Sequence, residues 1–87
     1  MPWIIKRTDT FLRFLKQHRH NKPLLDALDK KIQHLQEDPL AIGGKLAGAL
    51  HGKRNTRLIR KFRLIFSINE EEKTVYLVAI DHRGQIY

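Results

Sequence analysis

Apolar positions recur with a helical period in the first half of the chain and with strand-like composition in the second. Trp3-Ile4-Ile5 is aromatic and β-branched and too short for a helix, which predicts a strand, and Thr8-Asp9-Thr10 behind it supplies helix N-cap chemistry. Phe11, Phe14, Leu15 and His18 then fall at i, i+3, i+4 and i+7 and form one stripe, while Arg13, Lys16, Gln17 and Arg19 lie elsewhere on the helix surface. His20-Asn21-Lys22-Pro23 breaks this helix. Pro23 suits the first turn of a second one, which runs through Leu24, Leu25, Leu28, Ile32 and Leu35 and stops at Asp38-Pro39. Two helices joined by so short a break are expected to pair antiparallel and lay their stripes on a common sheet.

From Gly43 onward the helical period is lost. Gly43, Gly44, Gly48 and Gly52 punctuate a loop or irregular strand over residues 45–50. Residues 57–59, 62–68 and 74–80 are rich in β-branched and aromatic side chains and predict three strands. Arg60-Lys61 forms a tight turn between the first two, and Asn69-Glu70-Glu71-Glu72-Lys73 a polar turn between the last two. The Arg60-Lys61 turn lacks the Gly or Asn that such turns prefer. Strand, two helices, then a meander predicts an α+β fold: two antiparallel N-terminal helices packed on one face of a small, mainly antiparallel twisted sheet. The 87 residues are expected to form a single domain over residues 1–87, since so short a chain has surface enough for only one core.

Charge changes this picture from a fold to a surface. The chain carries 17 Lys and Arg against 9 Asp and Glu, a formal net charge of +8, so polyanions or an acidic protein are the natural partners. The surplus is segregated: Lys45, Lys53, Arg54, Arg57, Arg60, Lys61 and Arg63 lie between Gly43 and Asn69 with no acidic residue among them, whereas Asp9, Asp26, Asp29, Glu37 and Asp38 all precede that stretch. If the helices cover one sheet face, the other face and its loops present these cations together. Without cysteine there is no disulfide framework and no thiolate metal site. No apolar run approaches a membrane span and the N-terminus lacks the apolar stretch of a signal peptide, so a soluble cytoplasmic protein is expected. His18 and His20 make an HxH pair, but with no cysteine or matched acidic ligand no metal site is expected there.

The order and spacing of Lys45-Leu46-Ala47-Gly48, Arg57-Leu58-Ile59, Phe62-Arg63-Leu64-Ile65-Phe66 and Asp81-His82-Arg83-Gly84-Gln85-Ile86-Tyr87 resemble the RelE/ParE toxins of type II toxin-antitoxin systems, in particular their RelE-like mRNA interferases. In that family a KLxG loop leads to a basic strand, a YRLIY-like strand and a terminal HRxxxY-like segment. Over residues 1–42 only the order and length of elements agree. The resemblance implies the RelE-like microbial ribonuclease fold and cleavage of mRNA on the ribosome without metal or cofactor, which inhibits translation. It also implies a cognate antitoxin bound over the basic surface and helices in a hetero-oligomeric complex.

Such chemistry needs a base near the ribose 2′-hydroxyl, positive charge on the crowded phosphate oxygens and a proton for the leaving 5′-oxygen. Arginine suits the second task because it stays charged and offers a planar fork to phosphate. By resemblance Arg63 and Arg83 are assigned to the phosphate and Tyr87 to base stacking or proton transfer. His82, the group in this cluster that ordinarily titrates near neutrality, is assigned as acid or base. Lys45, Lys53, Arg54, Arg57, Arg60 and Lys61 are the expected RNA- or phosphate-binding cations. Where RelE-type enzymes hold lysines on the strand before the hairpin, this chain has Arg57, Leu58 and Ile59. An arginine is a poor proton acceptor, so the base falls to His82, Tyr87 or Lys53.

Simpler roles compete with each assignment. The cations can form a solvated face, Arg63 can pair with Asp81, His82 can satisfy backbone groups, and Tyr87 can be a packing aromatic. Within the same family, ParE-type toxins bind and inhibit DNA gyrase without catalysis, which is the second functional expectation. A basic nucleic-acid-binding protein without catalysis is a third, and no helix-turn-helix or aromatic RNA-binding signature supports it.

Overall fold

The computed structural model describes residues 2–42, 44–45 and 53–82, the backbone alone at residues 44, 45 and 82. Leu46 to Gly52, most of the KLxG loop, and Arg83 to Tyr87 of the terminal motif lie outside the described residues.

The expected order of elements is present: β1 (Ile4–Arg7), α1 (Asp9–Gln17), α2 (Lys22–Glu37), a 3₁₀ turn (Pro39–Ala41), β2 (Gly44–Lys45), β3 (Arg54–Arg57), β4 (Phe62–Asn69) and β5 (Thr74–His82). Thr8 caps α1 through its Oγ1, which accepts a hydrogen bond from the Phe11 N–H at 3.2 Å. The same hydroxyl is 2.9 Å from the Leu77 carbonyl and 3.0 Å from that of Val78, so one side chain both starts the helix and ties it to β5. Asn21 Oδ1 accepts from the Leu24 N–H at 3.3 Å at the start of α2, with Pro23 in its first turn, where a missing N–H costs nothing.

The strands form a sheet in the order β1-β5-β4-β3-β2, with β1 parallel to β5 and every other pairing antiparallel. Phe11 from α1 and Leu28 and Leu35 from α2 pack with Leu64, Phe66, Val75, Leu77 and Ile80 in one buried cluster, so both helices cover the same sheet face. Phe14, Leu15 and Ile32 pack around it, as the helical stripes predict.

Two features decide which side chains reach the other, outer face. First, β4 and β5 change register between Ile65 and Phe66: Ile65 lies opposite Ala79, whereas Phe66 lies opposite Leu77, leaving Val78 unmatched. Simple alternation from Leu77 would send Ala79 and Asp81 into the core. The bulge reverses the parity, so that Ile80 is buried opposite Leu64 and Asp81 comes to lie opposite Arg63. Second, β3 spans Arg54–Arg57 and not the expected residues 57–59. The ladder closes with the Leu58 N–H donating to the Phe62 carbonyl (3.0 Å), and the Phe62 N–H returns to the Ile59 carbonyl (2.9 Å), so Ile59, Arg60 and Lys61 form the turn. The apolar Leu58-Ile59 pair reads as strand because Leu58 packs against the core, but core packing here comes from the end of the ladder.

Arg60 occupies the left-handed region (φ 50°), which costs a residue with a Cβ about 1–2 kcal/mol. Since glycine escapes that cost but loses more chain entropy on folding, Arg60→Gly is expected to leave the protein as stable or more stable by about 0.5 kcal/mol. Urea unfolding measures this, and a loss above about 1 kcal/mol would mean that the Arg60 side chain holds the hairpin.

Candidate functional site

The outer face has two ends of different character. At one end Tyr76, opposite Lys6 and Ser67 in register, donates its hydroxyl to Glu72 Oε1 at 3.2 Å, and Lys6 Nζ lies 6.0 Å from the Tyr76 ring centroid. Cation and carboxylate are balanced there.

At the other end a row crosses three strands: Arg57 on β3 lies opposite Arg63 on β4, which lies opposite Asp81 on β5. Two arginines directly opposite each other across a ladder cost roughly 0.2–1 kcal/mol relative to a neutral pair. The arrangement is locally unfavourable and becomes favourable when an anion sits between the two guanidinium groups. Arg63 is half-buried and aimed by Asn55, whose Oδ1 accepts from Arg63 Nη1 at 2.7 Å, while Arg57 is exposed. One arginine of the pair is thus held by a side-chain partner and the other is exposed, and both keep N–H groups for phosphate oxygens.

The competing role for Arg63, an ion pair with Asp81, does not account for this geometry. Asp81 is 5% exposed and its Oδ2 is buried without a hydrogen-bond partner, while Arg63 donates to Asn55 instead. Among the described residues the Arg63 guanidinium is thus engaged through Nη1 by Asn55 and not by the carboxyl group opposite it.

The remaining expected site residues divide by position. Arg60 and Lys61 are exposed at the tip of the β3–β4 turn, next to the arginine pair, and Lys53 is half-buried just before β3. Arg54 departs from the expectation. It lies three residues from Arg57 and so on the opposite side of β3, where its Nη2 donates to the Leu40 carbonyl at 3.4 Å and its Nε is buried without a partner. Charge clustering along the sequence groups Arg54 with Arg57, but strand alternation separates them. The backbone of Lys45 pairs with that of Arg54, and the backbone of His82 with that of Phe62, so Asp81 and not His82 is the cross-strand neighbour of Arg63. Arg83 and Tyr87 lie outside the described residues.

Sequence reasoning missed Asn55, and considered Asp81 only as an ion-pair partner. Asn55 becomes visible once β3 is extended back to Arg54, because it then shares a face with Arg57. Of the HxH pair, His18 packs edge-on against Phe62 (centroids 5.4 Å apart, planes at 78°) and His20 Nε2 accepts from Arg19 Nε at 3.2 Å. Among the described residues no three of His, Cys, Asp or Glu gather as metal ligands, and no helix is long and apolar enough to cross a membrane.

The chain has known relatives in sequence and fold. The family model described as ParE toxin of type II toxin-antitoxin system, parDE, matches residues 5–87. The chain is similar to Toxin RelG of Mycobacterium tuberculosis, with 32% identity over an alignment 92 positions long that covers 100% of this chain and 98% of RelG. Among solved structures it resembles the toxin-antitoxin complex RelBE2 of M. tuberculosis, with a TM-score of 0.80, 28% identity, and coverage of 95% of this chain and 100% of the matched one. It also resembles a metal-bound toxin from Helicobacter pylori, with a TM-score of 0.80, 27% identity, and coverage of 98% and 99%. The fold of two helices on a mostly antiparallel sheet and the match along nearly the whole sequence agree, and the chain belongs to the RelE/ParE superfamily as a toxin of a type II toxin-antitoxin system.

Proposed function

We propose that this toxin is an endoribonuclease that cleaves mRNA on the ribosome and so stops translation. The observation that carries the reading is the opposed pair Arg57 and Arg63, with Arg63 aimed by Asn55 at 2.7 Å. Attack of a ribose 2′-oxygen on the adjacent phosphorus builds charge on the non-bridging oxygens, and two guanidinium groups at that point stabilise the transition state more than the ground state. The 2′-O–H bond breaks as the 2′-oxygen bonds to phosphorus. The bond from phosphorus to the 5′-oxygen then breaks, and that oxygen takes up a proton.

Arg63 and Arg57 hold the phosphate in this scheme, with Arg83 as a third cation. His82 and Tyr87 stand nearest in sequence to serve the proton transfers. Lys45, Lys53, Arg60 and Lys61 contact the flanking phosphates, and Arg54 contributes through the fold, by its bond to Leu40. The charge on the phosphate is met by the protein's own arginines, so the scheme calls for no metal or cofactor. The partner in the resting state is a cognate antitoxin covering the basic surface and helices in the cytoplasm, a reading supported by the toxin-antitoxin complex among the similar structures.

A second reading is a ParE-like inhibitor of DNA gyrase that binds without catalysis, and the ParE description of the matching family favours it. The two are separated by inducing the toxin without its antitoxin while following incorporation of labelled methionine and thymidine. The ribonuclease reading expects methionine incorporation to fall first. A fall in thymidine incorporation first, with a DNA-damage response, moves the target to gyrase.

A further inference from the structure

A second cationic surface lies on the helix layer, away from the arginine row. Arg13, Lys16, Gln17, Arg19 and His20 line an open cleft of about 430 Å³ along the C-terminal half of α1 and the turn that follows. All five are exposed, and no carboxylate is among them. Arg13, Lys16 and Gln17 fall at i, i+3 and i+4 on α1, a polar stripe set off from the inward stripe of Phe11, Phe14 and Leu15, and Arg19 and His20 follow in the turn after the helix. The hydrogen bond from Arg19 Nε to His20 Nε2 tethers the guanidinium beside this stripe.

Helix electrostatics accounts for only part of the arrangement. Lys16 in the last turn complements the macrodipole, but Arg13 lies a turn earlier and Arg19 beyond the helix end. Arg13 and Lys16 are also like charges at a repelling spacing. The cleft is joined to the arginine row by packing: His18, within the same segment, sits edge-on against Phe62, the residue before Arg63 and directly after the exposed Arg60 and Lys61. That contact joins the segment that carries the cleft to the strand that carries Arg63.

We propose that this cleft binds the phosphate backbone of a second segment of the RNA strand held at the arginine row, and so sets the length of RNA the toxin grips. The inference rests on the RNA reading above. Its lining favours a nucleic acid over an acidic protein, because the arginines stand with no apolar side chain beside them in the cleft to form a desolvated anchor pocket, whereas phosphates need only cations.

The test is binding of the full-length toxin to single-stranded RNAs of about 4 and about 20 nucleotides across a salt series, for the wild type and for the triple variant R13Q/K16Q/R19Q. The longer RNA should bind the variant at least about tenfold more weakly, and its slope of log affinity against log salt should fall by about 2, roughly 0.7 for each cation removed, while the short RNA binds as before. Equal losses on both RNAs, no loss on either, or weakened binding of the antitoxin with RNA binding intact would overturn the proposal. A wild type that binds neither RNA would instead overturn the RNA reading on which it rests. Circular dichroism of the variant should be unchanged, since all three side chains are exposed.

Discussion

Replacement of Arg63 by alanine is expected to lower the rate of message cleavage on programmed ribosomes by roughly 10²–10³-fold, the loss found when one preorganised donor to a developing oxyanion is removed. The expectation follows from position. Arg63 is the middle member of the row Arg57–Arg63–Asp81, it lies on a central strand, and Asn55 fixes its direction. The exposed Arg57 lacks that support, so Arg57→Ala is expected to have a smaller effect. The effect on folding should be modest. Loss of the Arg63–Asn55 hydrogen bond, made by a charged donor, costs about 1.5–3 kcal/mol, and relief of the Arg57–Arg63 repulsion offsets part of it. Arg63→Lys keeps the charge but loses the planar fork and should fall between the two. Cleavage at the wild-type rate by a folded Arg63→Ala protein would remove the arginine row from the mechanism.

The second large effect is on stability. Phe66 is fully buried at the centre of β4, among the side chains that both helices contribute to the core. Phe66→Ala removes most of a buried ring and leaves a cavity that the paired strands cannot close, at a cost of about 3–5 kcal/mol. A domain of this size has a total stability of only about 4–13 kcal/mol, so the variant should be marginal at 37 °C and lose toxicity through unfolding, unlike Arg63→Ala. Urea unfolding would distinguish the two. A midpoint shift equivalent to less than about 1.5 kcal/mol would mean that the core repacks around the vacancy. Antitoxin binding should rescue Phe66→Ala in part, because a ligand that binds only the folded state adds to its stability.

The parts of the fold legible in the sequence are those encoded by local chemistry. Thr8 caps the first helix where N-cap residues precede the Phe11 stripe, Pro23 falls in the first turn of the second, and the Asn69–Lys73 turn closes through hydrogen bonds between Asn69 and Glu72. The start of β3 was not legible, because Arg54-Asn55-Thr56-Arg57 carries a single β-branched residue and is polar on both sides, whereas Leu58-Ile59 beyond it is apolar but belongs to the ladder's closing pair and turn. The pairing in that strand comes from its neighbour β4 and not from its own propensity.

The same reasoning explains the site. Arg57 and Arg63 can be singled out from charge and resemblance, but their direct opposition is a matter of register, fixed by the Ile59–Lys61 turn. Asp81 reaches the row only because a bulge at Val78 shifts parity, and a single extra residue in an apolar strand leaves no mark in composition. Arg54 shows the converse: charge counted along the chain assigns it to the anion surface, and alternation turns it to Leu40.

The central claim, that the arginine row stabilises a phosphate under attack by its own 2′-hydroxyl, is tested most directly by mapping transcript 5′ ends after induction of the wild-type toxin and of Arg63→Ala. The wild type should create new 5′-hydroxyl ends inside reading frames within minutes, and Arg63→Ala, folded and equally abundant, should create almost none. Intact messages in wild-type cells that have nonetheless stopped growing would contradict the account and make the row a binding surface for another target.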